Sequence, residues 1–220
     1  MNENLKKYDC EGMHNTYDKW PDLAKEAYSS DIQAVDYKNI DHVVFSGMGG
    51  SGAVGDLFSS ILSKTDIHTT VVKGYTLPKT VDKNTLVVCT SVSGNTDETL
   101  SILETCTKLD CKTIGFSSGN MLESLCQKNN IEFRNIPQTH SPRSSFPSYV
   151  FSILKTIRDL IPIKEDDISS CIDNLENLKK QISSDNFSEQ NISLTLANWI
   201  SGIPVIYYPS VSYTHLTLPT

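Results

Sequence analysis

Two short loops hold most of the residues that could do chemistry. The first is Gly47-Met48-Gly49-Gly50-Ser51-Gly52, placed between the apolar run His42-Val43-Val44-Phe45 and a stretch with Ala53, Val54, Leu57, Phe58, Ile61 and Leu62 at helical spacing. Glycines let a backbone approach a ligand closely and take positive φ. The helix behind such a loop offers unpaired N–H groups and the positive end of its dipole. Gly49, Gly50 and the Ser51 hydroxyl are therefore candidate anion-binding groups. The second loop is Ser91-Val92-Ser93-Gly94-Asn95-Thr96, again between an apolar run and a helical stretch. Ser91, Ser93, Asn95 and Thr96 supply hydroxyls, an amide and another helix start. Helix capping needs one such residue, so four in six point to a ligand. A phosphomonoester held by hydroxyls and amides suits an acidic chain.

The elements that carry these loops alternate. Strands are expected at 42–45, 69–73, 85–90, 113–116 and 131–136, with helices behind each loop and at 121–128. Asn95 followed by Glu98 has the spacing of a capping box for a helix whose Leu100, Leu103, Cys106 and Leu109 face inward. Strands alternating with helices predict an α/β fold: a doubly wound parallel sheet flanked by helices. Loops leaving the C-terminal ends of such strands converge on one crevice. Upstream, Asp18-Lys19-Trp20-Pro21 is a helix entry in a helical segment, 1–40. Downstream, Val150, Phe151, Leu154, Ile157 and Leu160 form one stripe, and helices are expected at 166–183 and 189–201. Pro204–Tyr208 has the pattern of a fresh strand, as if a second α/β domain began there. Residues 209–220 fit nothing before them; they resemble a translated sequencing-adapter tail, a native C-terminal loop being the other reading.

Composition excludes several classes. The 220 residues are 38% hydrophobic and 20% charged, as in soluble globular chains, and the formal net charge of −7 argues against nucleic acid as the partner. The six cysteines form no C-x-x-C pair and no histidine pair has ligand spacing, so neither a metal nor another cofactor is expected. The polar start has no apolar signal core and no stretch has membrane-span length, so a reducing cytoplasm is the expected location. Gly47, Gly49 and Gly52 also match G-x-G-x-x-G, but the second strand ends in Lys73-Gly74, with no acid for a ribose, and Asp66 stands at its other end. A dinucleotide site ranks below a sugar-phosphate site.

The loops GMGGSG and SVSGNTDETL, with Pro142-Arg143-Ser144-Ser145, resemble the sugar isomerase (SIS) domain, and more narrowly the bifunctional phosphoglucose/phosphomannose isomerases. The resemblance implies tandem SIS domains, a homodimer, and interconversion of aldose and ketose 6-phosphates through an enediol without a metal. It implies that Ser51, Ser91, Ser93 and Thr96 bind phosphate, that Gly50 gives backbone contact, and that Arg143 stabilises the enediolate. Residues 41–147 would be the first SIS domain, and 148–208 linker helices and the start of an incomplete second one. The family's glutamate base and ring-opening histidine have no counterpart here; His215 lacks the context. The expectation is a chain that binds a sugar phosphate without turning it over. The rival class is a non-catalytic SIS sensor of sugar phosphates. Among lesser candidates, His140, three residues before Arg143, is either a residue that approaches the sugar or an exposed loop residue, the second being commoner; His42 is structural, and Asp56 orients the first loop.

Overall fold

A computed structural model describes residues 7–200. The chain divides into two compact units, Met1–Lys179 and Lys180–Thr220. In chain order the elements are α1 (Met13–Asp18), α2 (Trp20–Ser29), β1 (His42–Ser46), α3 (Gly50–Leu62), β2 (His68–Val72), β3 (Thr85–Thr90), α4 (Asp97–Cys106), β4 (Lys112–Ser117), α5 (Asn120–Lys128), β5 (Glu132–Asn135), α6 (Phe146–Thr156), α7 (Glu165–Ile182) and α8 (Ile192–Trp199), with a 3₁₀ turn at Arg158–Leu160.

The five strands pair in parallel in the order β2-β1-β3-β4-β5. β1 and β3 are buried along their whole length. Their side chains alternate between two cores, as a period of two requires. Val43, Phe45, Leu86 and Val88 join Val54, Phe58 and Leu62 of α3, with α2 and α6, on one face. Val44, Val87 and Cys89 join Leu100, Leu103 and Cys106 of α4 and Leu122 and Cys126 of α5 on the other. The sheet is thus doubly wound, as its near-continuous apolar strands foretold. All six cysteines are free thiols.

One side chain departs from expectation. Leu109 was expected inward but is 42% exposed. α4 ends at Cys106, and the Lys108 and Leu109 N–H groups close a turn on Thr105 O and Cys106 O, which carries Leu109 off the helix face. In the second unit, the Asn191 side chain caps α8 by accepting from Ser193 N and Leu194 N. Ile192, Leu196, Trp199 and Ile200 are exposed. The strand expected at 204–208 and the tail at 209–220 lie outside the described residues.

Candidate functional site

The strand order sets the place. β1 and β3 are hydrogen-bonded neighbours with Ser46 level with Cys89, and their following helices pass to opposite faces of the sheet. Between two such strands a parallel sheet opens a crevice at its C-terminal edge. The first loop leaves β1 and the second leaves β3, so the two lie side by side at that edge.

The glycines of the first loop meet different demands. A Cβ on Gly47 would come within 2.9 Å of Ser51, so that position is closed by packing. Gly49 has φ +54, and neither it nor Gly50 would bring a Cβ within 4 Å of anything. The backbone here faces open space, which is what a ligand approaching it needs. Ser51 N–H and Gly52 N–H turn inward to Met48 O at 3.0 and 3.3 Å. α3 then starts without a side-chain cap, and the half-buried Ser51 hydroxyl makes no hydrogen bond among the described residues.

The second loop is cross-linked. Ser91, almost fully buried, bonds Thr96 Oγ1 at 2.8 Å and accepts from Gly94 N–H at 3.1 Å. Ser93 is exposed, its Oγ accepting from Asn95 N–H at 3.3 Å. α4 starts at an N-cap, Thr96, whose side chain makes no capping bond, because its hydroxyl is turned to Ser91. The expected capping box does not form: Asn95 Oδ1 accepts instead from Met121 N–H, capping the start of α5 at 3.3 Å. Thr99, in the first turn of α4, has the one buried side-chain oxygen without a partner among the described residues. Asp97 and Glu98 occupy the same turn.

A third loop, Ser117-Ser118-Gly119-Asn120, escaped sequence reasoning. Ser118 N–H and Oγ donate to Val92 O, Asn120 Nδ2 donates to Ser93 O at 2.9 Å, and Leu122 N–H donates to Gly94 O. It holds the second loop from behind. Its signal was its composition, hydroxyls and glycine between a strand and a helix like the other two.

Arg143 stands in the segment after β5. Ser144 and Ser145, both fully buried, tie that segment to Thr139 and Ser141, and Trp20 Nε1 donates to Ser144 O at 3.1 Å. His140 is pinned by its ring nitrogen to Glu11 O at 3.2 Å. The Arg143 side chain is exposed and makes no ion pair or hydrogen bond among the described residues. Nothing joins it to either loop by a hydrogen bond. His42 is buried among Thr70, Thr85 and His68 at the opposite edge of the sheet. Burial, then His68, lowers its pKa.

A large apolar groove, about 590 Å³, is lined by Trp20, Leu57, Ile61, Phe146, Val150 and Leu175 among others, none from either loop. It gathers no set of convergent polar groups, so it does not rival the crevice as a site for a charged ligand.

This combination, a 2-1-3-4-5 parallel sheet with hydroxyl- and glycine-rich loops at its switch point, defines a class, and the SIS domain matches residues 36–157. The chain belongs to the SIS domain family. Within it, the chain is 35% identical over 200 residues to the bifunctional phosphoglucose/phosphomannose isomerase of Aquifex aeolicus, covering 90% of this chain and 56% of that protein. The Caldicellulosiruptor bescii protein of the same name is 31% identical, with 85% and 57% covered. A D-glucosamine-6-phosphate 4-epimerase of Sulfolobus acidocaldarius is 29% identical, with 90% and 60% covered. The chain spans little more than half the length of these relatives. The fold is shared with the tagatose-6-phosphate ketose/aldose isomerase of Escherichia coli (TM-score 0.52, 14% identity, 84% of this chain and 53% of that one). It is shared equally with the C-terminal domain of glucosamine-fructose-6-phosphate aminotransferase from Francisella tularensis (TM-score 0.52, 18% identity, 76% and 53%). No helix among the described residues is long and apolar enough to cross a membrane.

Proposed function

We propose that this chain binds a sugar 6-phosphate in the crevice between the first and second loops, and that the whole protein interconverts glucose 6-phosphate or mannose 6-phosphate with fructose 6-phosphate. The observation that carries the reading is the pairing of an open glycine backbone at Gly49 and Gly50 with a rigid hydroxyl loop on the neighbouring strand. The phosphate sits against Gly49, Gly50 and the free Ser51 hydroxyl on one side. Ser93 and Thr96 serve it on the other, with Ser91 orienting Thr96 and Asn95 setting the second loop against α5. The start of α4, whose N-cap side chain makes no capping bond, directs its N–H groups to the same anion, and α3 adds the positive end of its dipole.

Isomerisation passes a proton between C1 and C2 through an enediol, which needs a base at the carbon and a cation for the developing oxyanion. Arg143, exposed and unpaired on a segment held by Trp20 and two buried serines, suits the second role. The base belongs to the part of the relatives' length that this chain does not span, and the intact protein works as a homodimer. The names of the three relatives of known sequence given above, each an enzyme of phosphorylated sugars, support an enzyme over a sensor.

Isothermal calorimetry with fructose 6-phosphate tests the binding step. The chain is expected to bind, and Ser51→Ala and Ser93→Ala each to weaken binding by about tenfold, as loss of a hydrogen bond to a charged group does. A folded chain that binds no sugar phosphate, or binds it equally without both serines, would end this reading.

A further inference from the structure

Lys73 follows β2 directly and lies beside the first loop. The β1–β2 ladder runs one bond past the strands, from Gly47 N–H to Val72 O at 3.2 Å, which brings Lys73 level with the loop's first residues. Its stem lies across the first turn of α3, where a Cβ on Gly52 would come 3.0 Å from Lys73 Cε. Gly52 is glycine partly to admit this lysine. The ammonium turns down the helix to Asp56 Oδ2 at 2.7 Å. Both side chains are about half exposed, 44% and 55%, and such pairs contribute little because water screens them. Rotation about the terminal bonds of the stem returns the ammonium toward Gly49–Ser51.

The surroundings call for a cation. The chain carries a net charge of −7, and the first turn of α4 holds Asp97 and Glu98 beside the second loop. A phosphate dianion met by hydroxyls and N–H groups alone would feel both carboxylates. We propose that Lys73 is the phosphate-contacting cation of this crevice, held by Asp56 when the site is empty and released to the phosphate when a sugar 6-phosphate binds. The inference rests on the proposed sugar-phosphate site and assigns it a charge partner outside both loops. Lysine suits the task as a compact point charge on a flexible stem. Asp56 then does two things: it keeps the ammonium off the empty loop, and it sets a small threshold that an anion must exceed.

The test compares Lys73→Met, Lys73→Arg and Asp56→Asn in the whole chain, titrated with fructose 6-phosphate, inorganic phosphate and unphosphorylated fructose. Lys73→Met keeps the stem over Gly52 and removes the charge. It is expected to weaken fructose 6-phosphate and inorganic phosphate by about tenfold or more, the scale of one charge-assisted contact. Lys73→Arg is expected to stay within about threefold of the parent chain. Asp56→Asn is expected to tighten both anions by roughly two- to fivefold, because the competitor is gone. Fructose itself should respond to none of them. An ion pair that merely braces the first loop predicts the opposite sign for Asp56→Asn, a loss parallel to that of Lys73→Met, and that result would overturn the proposal. So would unchanged anion binding in Lys73→Met. If Lys73→Met failed to fold, the sign of the Asp56→Asn change would decide alone. A parent chain that binds neither anion would remove this inference together with the site it rests on, whereas anion binding indifferent to Lys73 removes only the inference.

Discussion

The first and second loops leave neighbouring strands at the same level, yet they are held in opposite ways. The first is held from within and below: Ser51 and Gly52 bond back to Met48, and Lys73 lies over Gly52. A Cβ on either of its outer glycines, Gly49 or Gly50, would meet nothing within 4 Å. The second is held from behind and across: Ser91 bonds Thr96, and the loop after β4 with the first turn of α5 takes the carbonyls of Val92, Ser93 and Gly94. One loop offers approach and the other offers fixed hydroxyls. Preorganised donors need both, since a ligand must come near and find the groups already aimed. The same kind of substitution should therefore act differently in each.

The largest expected effect is at Gly94. Its φ of +69 disfavours any side chain, and a Cβ there would overlap the Gly119 carbonyl oxygen and press on Asn120. Gly119 itself sits at φ +122 and Asn120 at +64, so the third loop has little freedom to retreat. Gly94→Ala is expected to cost about 3 kcal/mol or more in urea unfolding, as strain plus overpacking does. A variant as stable as the parent would mean that the second loop is not locked by its neighbour, and the contrast between the loops would fail.

Serine substitutions give the next effect. Ser91→Ala removes a buried hydroxyl that serves both Thr96 and Gly94. It should lower stability by about 1 kcal/mol, the net contribution of such a hydrogen bond, since Gly94 N–H keeps Ser91 O as an acceptor at 3.0 Å. Ser51, half-buried with no hydrogen bond among the described residues, should change stability by less than about 0.5 kcal/mol on truncation. Both variants should bind fructose 6-phosphate more weakly in calorimetry. Equal unfolding midpoints for the two would erase the distinction drawn here.

Much of the frame was legible in the residues. Apolar runs such as Thr85–Thr90 became strands, glycine clusters became strand-to-helix loops, and the alternation fixed a doubly wound sheet. These signals are local, set by period and by backbone freedom. What was not legible is non-local. Asn95 with Glu98 has the local spacing of a cap, but its oxygen is taken by Met121, 26 residues on. Leu109 has helical spacing, but the helix had already ended. Trp20 fixes the segment that carries Arg143 from 124 residues away. Lys73, which in the sequence only argued against a ribose site, turns out to lie on the first loop. Each depends on which elements the sheet brings together, and no window of sequence contains that.

The sharpest test of the comparison, with only a small effect on stability, is at Gly50. It opens α3, has no positive φ, and faces open space. An alanine there meets no atom of the unliganded chain and restricts the unfolded one, so Gly50→Ala should raise stability by about 0.5 kcal/mol. The added methyl occupies the space through which a phosphate would reach the backbone. Fructose 6-phosphate binding should therefore fall severalfold while the melting temperature rises slightly, a divergence that a packing defect cannot produce. Binding that stays unchanged would mean the open side of the first loop is not ligand space, and the phosphate would then rest on the hydroxyls of the second loop alone.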